Sequence, residues 1–274
     1  MNADQANTSV NPEPRRFPSE DFLGIPLSSP TLDELLGDIV ELSYGGRDRA
    51  RIVTYINAHC VNMFHTHAEY GAILRQADYI YADGMSVVKA ARRLGIDVPE
   101  RLSAAHFFEE FCRRAAQSKR RLFFVGGKRA IVRECVENMQ RAMPELDVAG
   151  YSHGYFELGL DEEKELAAEI RSKQPDIVIA GMGAPKQELW ASRNQEKLHV
   201  PVVWCVGAMF EYLSGRRALA PRWLADAGWE WLFRLALEPG RLWRRYLIGN
   251  LVFKLHVRKA IKRKRFESLK RGIH

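Results

Sequence analysis

The chain has 274 residues, 46% of them hydrophobic, and 41 Lys and Arg against 34 Asp and Glu give a formal net charge of +7. That length suits one large core, or one domain with an appendage. No run of 18 apolar residues is present, which excludes an obvious transmembrane helix.

In chain order, residues 1–22 are polar, carry Pro12, Pro14 and Pro18, and lack the charged-then-apolar pattern of a signal peptide, so they read as a disordered leader. A β-branched strand over 51–56 runs into Asn57-Ala58-His59. A strand over 79–81 ends at Asp83-Gly84, ahead of a helix over 85–94. Arg101 follows Pro99-Glu100 and precedes a helix over 103–116. A strand over 122–125 leads into Gly126-Gly127-Lys128 and a helix over 131–143. The helix over 161–173 carries Leu166, Ala167 and Ile170 on its apolar face. Strands over 177–180 and 202–206 run into Gly181-Met182-Gly183 and Gly207-Ala208. Strands alternating with helices predict an α/β fold, a Rossmann-like parallel sheet with helices on both faces. Ligands bind such sheets at the carboxyl ends of the strands, where every loop just named lies. The core is expected over 23–215, followed by a separate, helical, basic appendage over 216–274. The cysteines Cys60, Cys112, Cys135 and Cys205 are far apart and read as small buried hydrophobes of a reducing cytoplasm.

The segment Gly181-Met182-Gly183-Ala184-Pro185-Lys186-Gln187-Glu188 is the most informative. A strand, a glycine turn and a helix start, with Pro185 at the first helical position and Lys186 beside it, predict a site for phosphate or diphosphate. It is not a Walker loop, because Gly-x4-Gly-Lys-Ser/Thr is absent. It is not a dinucleotide fingerprint, because Lys186 stands where the third glycine belongs and no acidic residue closes the next strand; an NAD-dependent oxidoreductase is thereby set aside. No Asp-x-Asp and no metal-spaced His/Cys set occurs, so no metal or cofactor is called for and cationic groups are left to neutralise a leaving phosphate. Asp83, at a strand end, fits a general base or the cap of the next helix. Gln187 fits a group that orients a hydroxyl or a side chain in an exposed helical turn, and Arg101 alone fits a solvated surface arginine.

Taken together, these residues resemble the WecG/TagA/CpsF glycosyltransferase family, glycosyltransferase family 26. The resemblance covers about residues 50–250. Its marks are Ala82-Asp83-Gly84-Met85, Val125-Gly126-Gly127, Gly150-Tyr151-x-x-Gly154-Tyr155-Phe156 and the Gly181–Glu188 segment. Val206-Gly207-Ala208, Gly228-x-Glu230-Trp231-x-x-Arg234-Leu235 and Glu238-Pro239-x-Arg241-x-x-x-Arg245-Tyr246-Leu247 complete them. The resemblance implies transfer of a hexose or N-acetylhexosamine-type sugar from a UDP-sugar to a polyprenyl-diphosphate-linked saccharide, with inversion and without metal. It implies catalytic roles for Asp83 as base and for Arg101 and Gln187. It implies substrate contacts at Thr54, Asn57, Gly84, Gly126, Gly127, Gly181, Gly183, Lys186, Gly207 and Glu211, and makes the appendage a lid over the active site and a membrane-docking surface, with contacts at Arg234, Arg241 and Arg245. The chain departs from the family pattern at four places: Tyr55 two residues before Asn57, where Thr is usual; Arg101-x-x-Ala104-x-His106 for Arg-x-x-Gly-x-Asp; Phe210-Glu211 for Phe-Asp; and Leu219-Ala220-Pro221 for Arg-Ala-Pro. A non-catalytic nucleotide-sensing or membrane-adaptor protein on the same fold is the competing reading.

From Arg234 to His274 the chain carries 13 Lys and Arg against two Asp and Glu, so the rest of it is mildly acidic. Residues 241–264 mix Trp243, Tyr246, Leu247, Leu251, Phe253 and Leu255 with nine Lys and Arg. Such a stretch fits a helix in an anionic membrane interface, or an amphipathic helix packed on the body with a solvated face. A lipid-linked acceptor favours the membrane, at the inner face of the bacterial plasma membrane, and no nucleic-acid-binding pattern is present.

Overall fold

The computed structural model describes residues 17–271. A short antiparallel hairpin, β1 (Glu20–Phe22) and β2 (Ile25–Leu27), leads into α1 (Leu32–Leu42). Six strands follow: β3 (Arg51–Ile56), β4 (Tyr79–Ala82), β5 (Leu122–Gly126), β6 (Val148–Ser152), β7 (Ile177–Gly181) and β8 (Val202–Cys205). Between them lie α2 (Ala58–Thr66), α3 (Ala68–Gln76), α4 (Met85–Arg93), α5 (Ala104–Gln117), α6 (Arg129–Ala142), α7 (Asp161–Lys173) and α8 (Lys186–Asn194). After β8 come α9 (Met209–Leu213), α10 (Arg222–Asp226), α11 (Glu230–Leu237) and α12 (Pro239–Trp243). A π-helical turn, Arg244–Ile248, joins α12 to the long α13 (Gly249–Arg271).

The six strands form one parallel sheet in the order β4-β3-β8-β7-β5-β6. β4, β5, β7 and β8 are buried along their whole length, as continuous aliphatic and aromatic runs must be when helices cover both faces. β6, at the sheet edge, is only half-buried and reads Val-Ala-Gly-Tyr-Ser, which is why no apolar run announces it. The expected leader lies mostly outside the described residues. Its last residues form β1 instead, because Phe22, Ile25 and Leu27 are fully buried and Ser28 N–H donates to the Ile80 carbonyl at 2.8 Å. All four cysteines are buried and free.

The segment expected as an appendage is helical, and it packs on the core. Phe253 and Val257 of α13 join the core cluster, and the Asn62 amide of α2 donates to the Gly249 carbonyl at 2.8 Å. The Lys264 ammonium donates to the Leu94 carbonyl, and the rings of His65 and His256 stack with centroids 4.2 Å apart. The physical reason is that α13 has apolar residues on two faces. One seats on α2, and the other, with Leu251 and Leu255, stays exposed.

Candidate active site

The carboxyl ends of β3, β4, β7 and β8 converge beneath the appendage and enclose a two-lobed crevice with cavity volumes of about 100 and 120 Å³. Asn57, His59, Asp83, Glu230, Arg234 and Arg245 line both lobes. The inner lobe adds Tyr55, Ser103, Gly183 and Tyr212, and the outer lobe adds Gly84, Met85, Arg101, Trp231 and Tyr246.

Asp83 directly follows β4 and is fixed by its N–H, which donates to the Ile56 carbonyl at 2.9 Å. It does not cap the next helix. The capping position of α4 is Gly84, at φ 116°, with no side-chain cap bond. The positive φ at Gly84 turns the chain so that the Asp83 carboxyl is left to the crevice. Burial, and then the nearby Glu230 carboxylate, push the Asp83 carboxyl up to about 6, against the downward pull of Arg101, the Ser103 hydroxyl and Arg234. Arg101 is no solvated arginine: its side chain is 7% exposed and NH1 donates to Glu230 Oε2 at 2.7 Å. Asn57 Oδ1 caps α2 by accepting from the N–H groups of His59 at 3.0 Å and Cys60 at 3.2 Å. Burial and Arg245 push the His59 imidazole down to about 4, so it is neutral near pH 7. Arg245 Nε is buried with no hydrogen-bond partner among the described residues. At pH above 6 the crevice therefore holds an ionised carboxylate among guanidinium groups, the arrangement that takes a proton from a hydroxyl beside an anionic leaving group.

Several of the expected contact residues lie elsewhere. Pro185 precedes α8 by one residue, and Lys186 begins it. The Lys186 ammonium turns away to the Gly154 carbonyl at 2.8 Å and the Phe156 carbonyl, and rests 4.6 Å from the Phe156 ring centroid. Burial holds its pKa below the usual lysine range. Gln187 is fully buried rather than exposed in a helical turn. Its Oε1 accepts from Gly183 N–H at 3.1 Å and Gly207 N–H at 2.9 Å, so it clamps two strand-end loops together. Its Nε2 donates to Glu188 Oε1 at 2.8 Å, where the Thr54 hydroxyl also donates at 2.9 Å. Thr54 is thus buried under the crevice rather than lining it. Gly126 and Gly181 serve strand packing. A Cβ on Gly126 would stand 2.4 Å from the Gly181 carbonyl oxygen, and one on Gly181 would stand 2.7 Å from the Phe210 ring. Gly127 accepts from Gly154 N–H at 2.9 Å, outside both lobes. Gly183 lines the inner lobe, with no heavy atom within 4 Å of an added Cβ. Gly207 sits against Tyr55, whose hydroxyl is 2.4 Å from where a Cβ would be. Glu211 pairs with Arg217 at 2.7 Å, Arg217 with Glu238 at 2.7 Å, and Arg241 with Glu238, a chain of charges that ties α9 to α12 outside the crevice.

A model of the glycosyl transferase WecG/TagA/CpsF family matches residues 20–267. The chain belongs to that family. An N-acetylglucosaminyldiphosphoundecaprenol N-acetyl-beta-D-mannosaminyltransferase of Bacillus spizizenii is 29% identical over 208 residues, 76% of this chain and 79% of that protein. A protein of the same name from Staphylococcus aureus is 27% identical over 235 residues, 86% of this chain and 91% of that protein. This WecG/TagA/CpsF member is a glycosyltransferase, and its crevice includes residues to which the sequence assigned no role: His59, Tyr212 and above all Glu230. Glu230 was visible only as part of the Gly228-x-Glu230-Trp231 mark; nothing local in the sequence says that α11 lies over the end of β4.

Proposed function

We propose that this glycosyltransferase moves a hexose or N-acetylhexosamine-type sugar from a UDP-sugar to a polyprenyl-diphosphate-linked saccharide, inverting the anomeric centre without a metal ion. The observation that carries the reading is Asp83, raised to about 6 in a crevice whose other charges are mainly guanidinium groups. Asp83 accepts the proton of an acceptor hydroxyl as the oxygen attacks the anomeric carbon. Charge then develops on the departing UDP, where Arg234 and the unpaired Nε of Arg245 stabilise it more than in the ground state. The acceptor class follows the names of the relatives, which specify a diphosphoundecaprenol-linked N-acetylglucosamine and a β-linked product.

The appendage acts as a lid. The two lobes, at about 100 and 120 Å³, fall below the roughly 300–1,000 Å³ of ordinary ligand sites, so substrates enter with the roof raised and react with it closed. The appendage also docks on anionic membrane. Leu247, Leu251 and Leu255 are exposed at four-residue spacing on one face, beside exposed Lys254, Arg258 and Lys262. Among the described residues no helix is long and apolar enough to cross a membrane.

The test is a screen of UDP-sugars, beginning with UDP-N-acetylmannosamine, against a short-chain polyprenyl-diphosphate N-acetylglucosamine, read by UDP release. Release that depends on the acceptor, survives EDTA and rises with anionic vesicles is expected. Absence of release with every donor overturns the reading, and loss with EDTA overturns its metal-free part.

A further inference from the structure

Glu230 is a crevice carboxylate with no part in the chemistry above. It arrives on α11 of the appendage, whereas Asp83 stands on the core at the end of β4. Both line both lobes, and Glu230 holds Arg101 at 2.7 Å. Two like charges in a poorly solvated crevice oppose each other's ionisation. A cation engaged by one carboxylate also does less to hold the other ionised.

The remaining groups around Asp83 do not produce the same effect. Arg234 on α11 and Arg101 pull its pKa down, as does the Ser103 hydroxyl. His59 on α2 is neutral, and Arg245 of the π-helical turn is a cation. The Tyr55 and Tyr81 hydroxyls, on β3 and β4, are held protonated by burial. Glu230 is the carboxylate that faces Asp83 across the core–appendage boundary.

We propose that Glu230 is a positioning residue for proton transfer: docking of the appendage brings its carboxylate opposite Asp83 and onto Arg101, and so makes Asp83 a stronger base only when the roof is closed. The proposal rests on the reading of Asp83 as the base. On closure, the acceptor O–H proton passes to Asp83 as the new C–O bond forms and the bond from the anomeric carbon to UDP breaks. On opening, Glu230 withdraws together with Arg234 of the same helix, whose opposing effect is the smaller, so Asp83 binds its proton less tightly and the proton leaves to water. An open enzyme holding donor alone thus carries a weak base, which limits transfer to water.

The decisive measurement is the carboxyl ¹³C titration of Asp83 in the full-length, ligand-free protein, assigned by comparison with Asp83→Asn. The wild-type midpoint is expected near 6, and in Glu230→Gln it moves down by roughly one pH unit. Arg234→Gln, which removes an opposing charge, moves it up. The acid limb of kcat/KM shifts in the same directions, which a merely structural role would not produce. An unmoved midpoint in folded Glu230→Gln overturns the proposal. If that variant does not fold, Glu230→Ala is titrated in its place, and an unmoved midpoint there overturns the proposal. Because the titration needs no substrate, it decides this point even if the donor screen shows no transfer, the outcome that would sink the wider reading alone.

Discussion

The loops after β4 and β7 begin alike, each leaving a buried strand with glycine and polar residues, yet they use those residues in opposite ways. After β7, Lys186, Gln187 and Glu188 all bond inward, to carbonyls, N–H groups and Thr54 within the protein. After β4, Asp83 is fixed by its backbone N–H and touched by the Ser103 hydroxyl, and its carboxyl faces the crevice beneath the appendage. Buried polar groups demand partners. The most conspicuous motif meets most of that demand internally, whereas the plainer one leaves its carboxyl in the crevice, where the proposed chemistry places the base.

The largest expected effect breaks the β4 side. Asp83→Asn should lower transfer by roughly 10²–10⁴-fold, as loss of a general base does, with UDP binding retained. The same variant should melt higher than wild type at pH 8. The folded-state pKa is raised, so the cost of ionised Asp83 is absent at low pH, grows as pH rises from its unfolded value of 3.8, and is complete above about 6. Thermal melts at pH 8 and pH 4 check this, and an equal gain at both would refute the sign. On the β7 side the order should invert. Gln187→Leu leaves two N–H groups without their acceptor and should cost roughly 1–3 kcal/mol of stability in denaturant titrations, with transfer reduced through misplaced loops. Lys186→Met should change kcat/KM least. A loss comparable to that of Asp83→Asn would mean that Lys186 reaches substrate and that the contrast between the two loops is false.

The parallel sheet was legible because strands buried on both faces must be nearly all apolar, and β3, β4, β5, β7 and β8 are. The edge strand β6 and the hairpin were not, since one is polar and interrupted by Gly150 and the other has three residues per strand. Helix α1 lies outside the strand-and-glycine pattern, and its sequence signal is the reciprocal capping box of Thr31 and Glu34 at its start. Asp83 could be found because its place at a strand end is a local fact. The orientation of Lys186 could not, because its acceptors, Gly154 and Phe156, lie some thirty residues away on another loop. Glu230 and Arg101 were equally hidden, their pairing spanning 129 positions of sequence.

The stacked imidazoles of His65 and His256 have a consequence of their own. They pin α13 to α2 at the end of α2 remote from Asn57 and His59, with Arg75 and Lys259 close by. Burial, and then His256 and these two cations, keep His65 below its ordinary value of 6.5. Its neutral form therefore belongs to the docked state. The contribution to docking is whole above about 6.5 and is lost as pH falls toward the lower docked value. Amide exchange along α13 should quicken from pH 7 to pH 5 beyond its intrinsic pH dependence, and less so in His65→Gln; identical behaviour of the two proteins would remove the pair from the account. The appendage then has an acid-sensitive clasp at the far end of the helix whose beginning lines the crevice, and protons compete with its docking without touching the crevice itself.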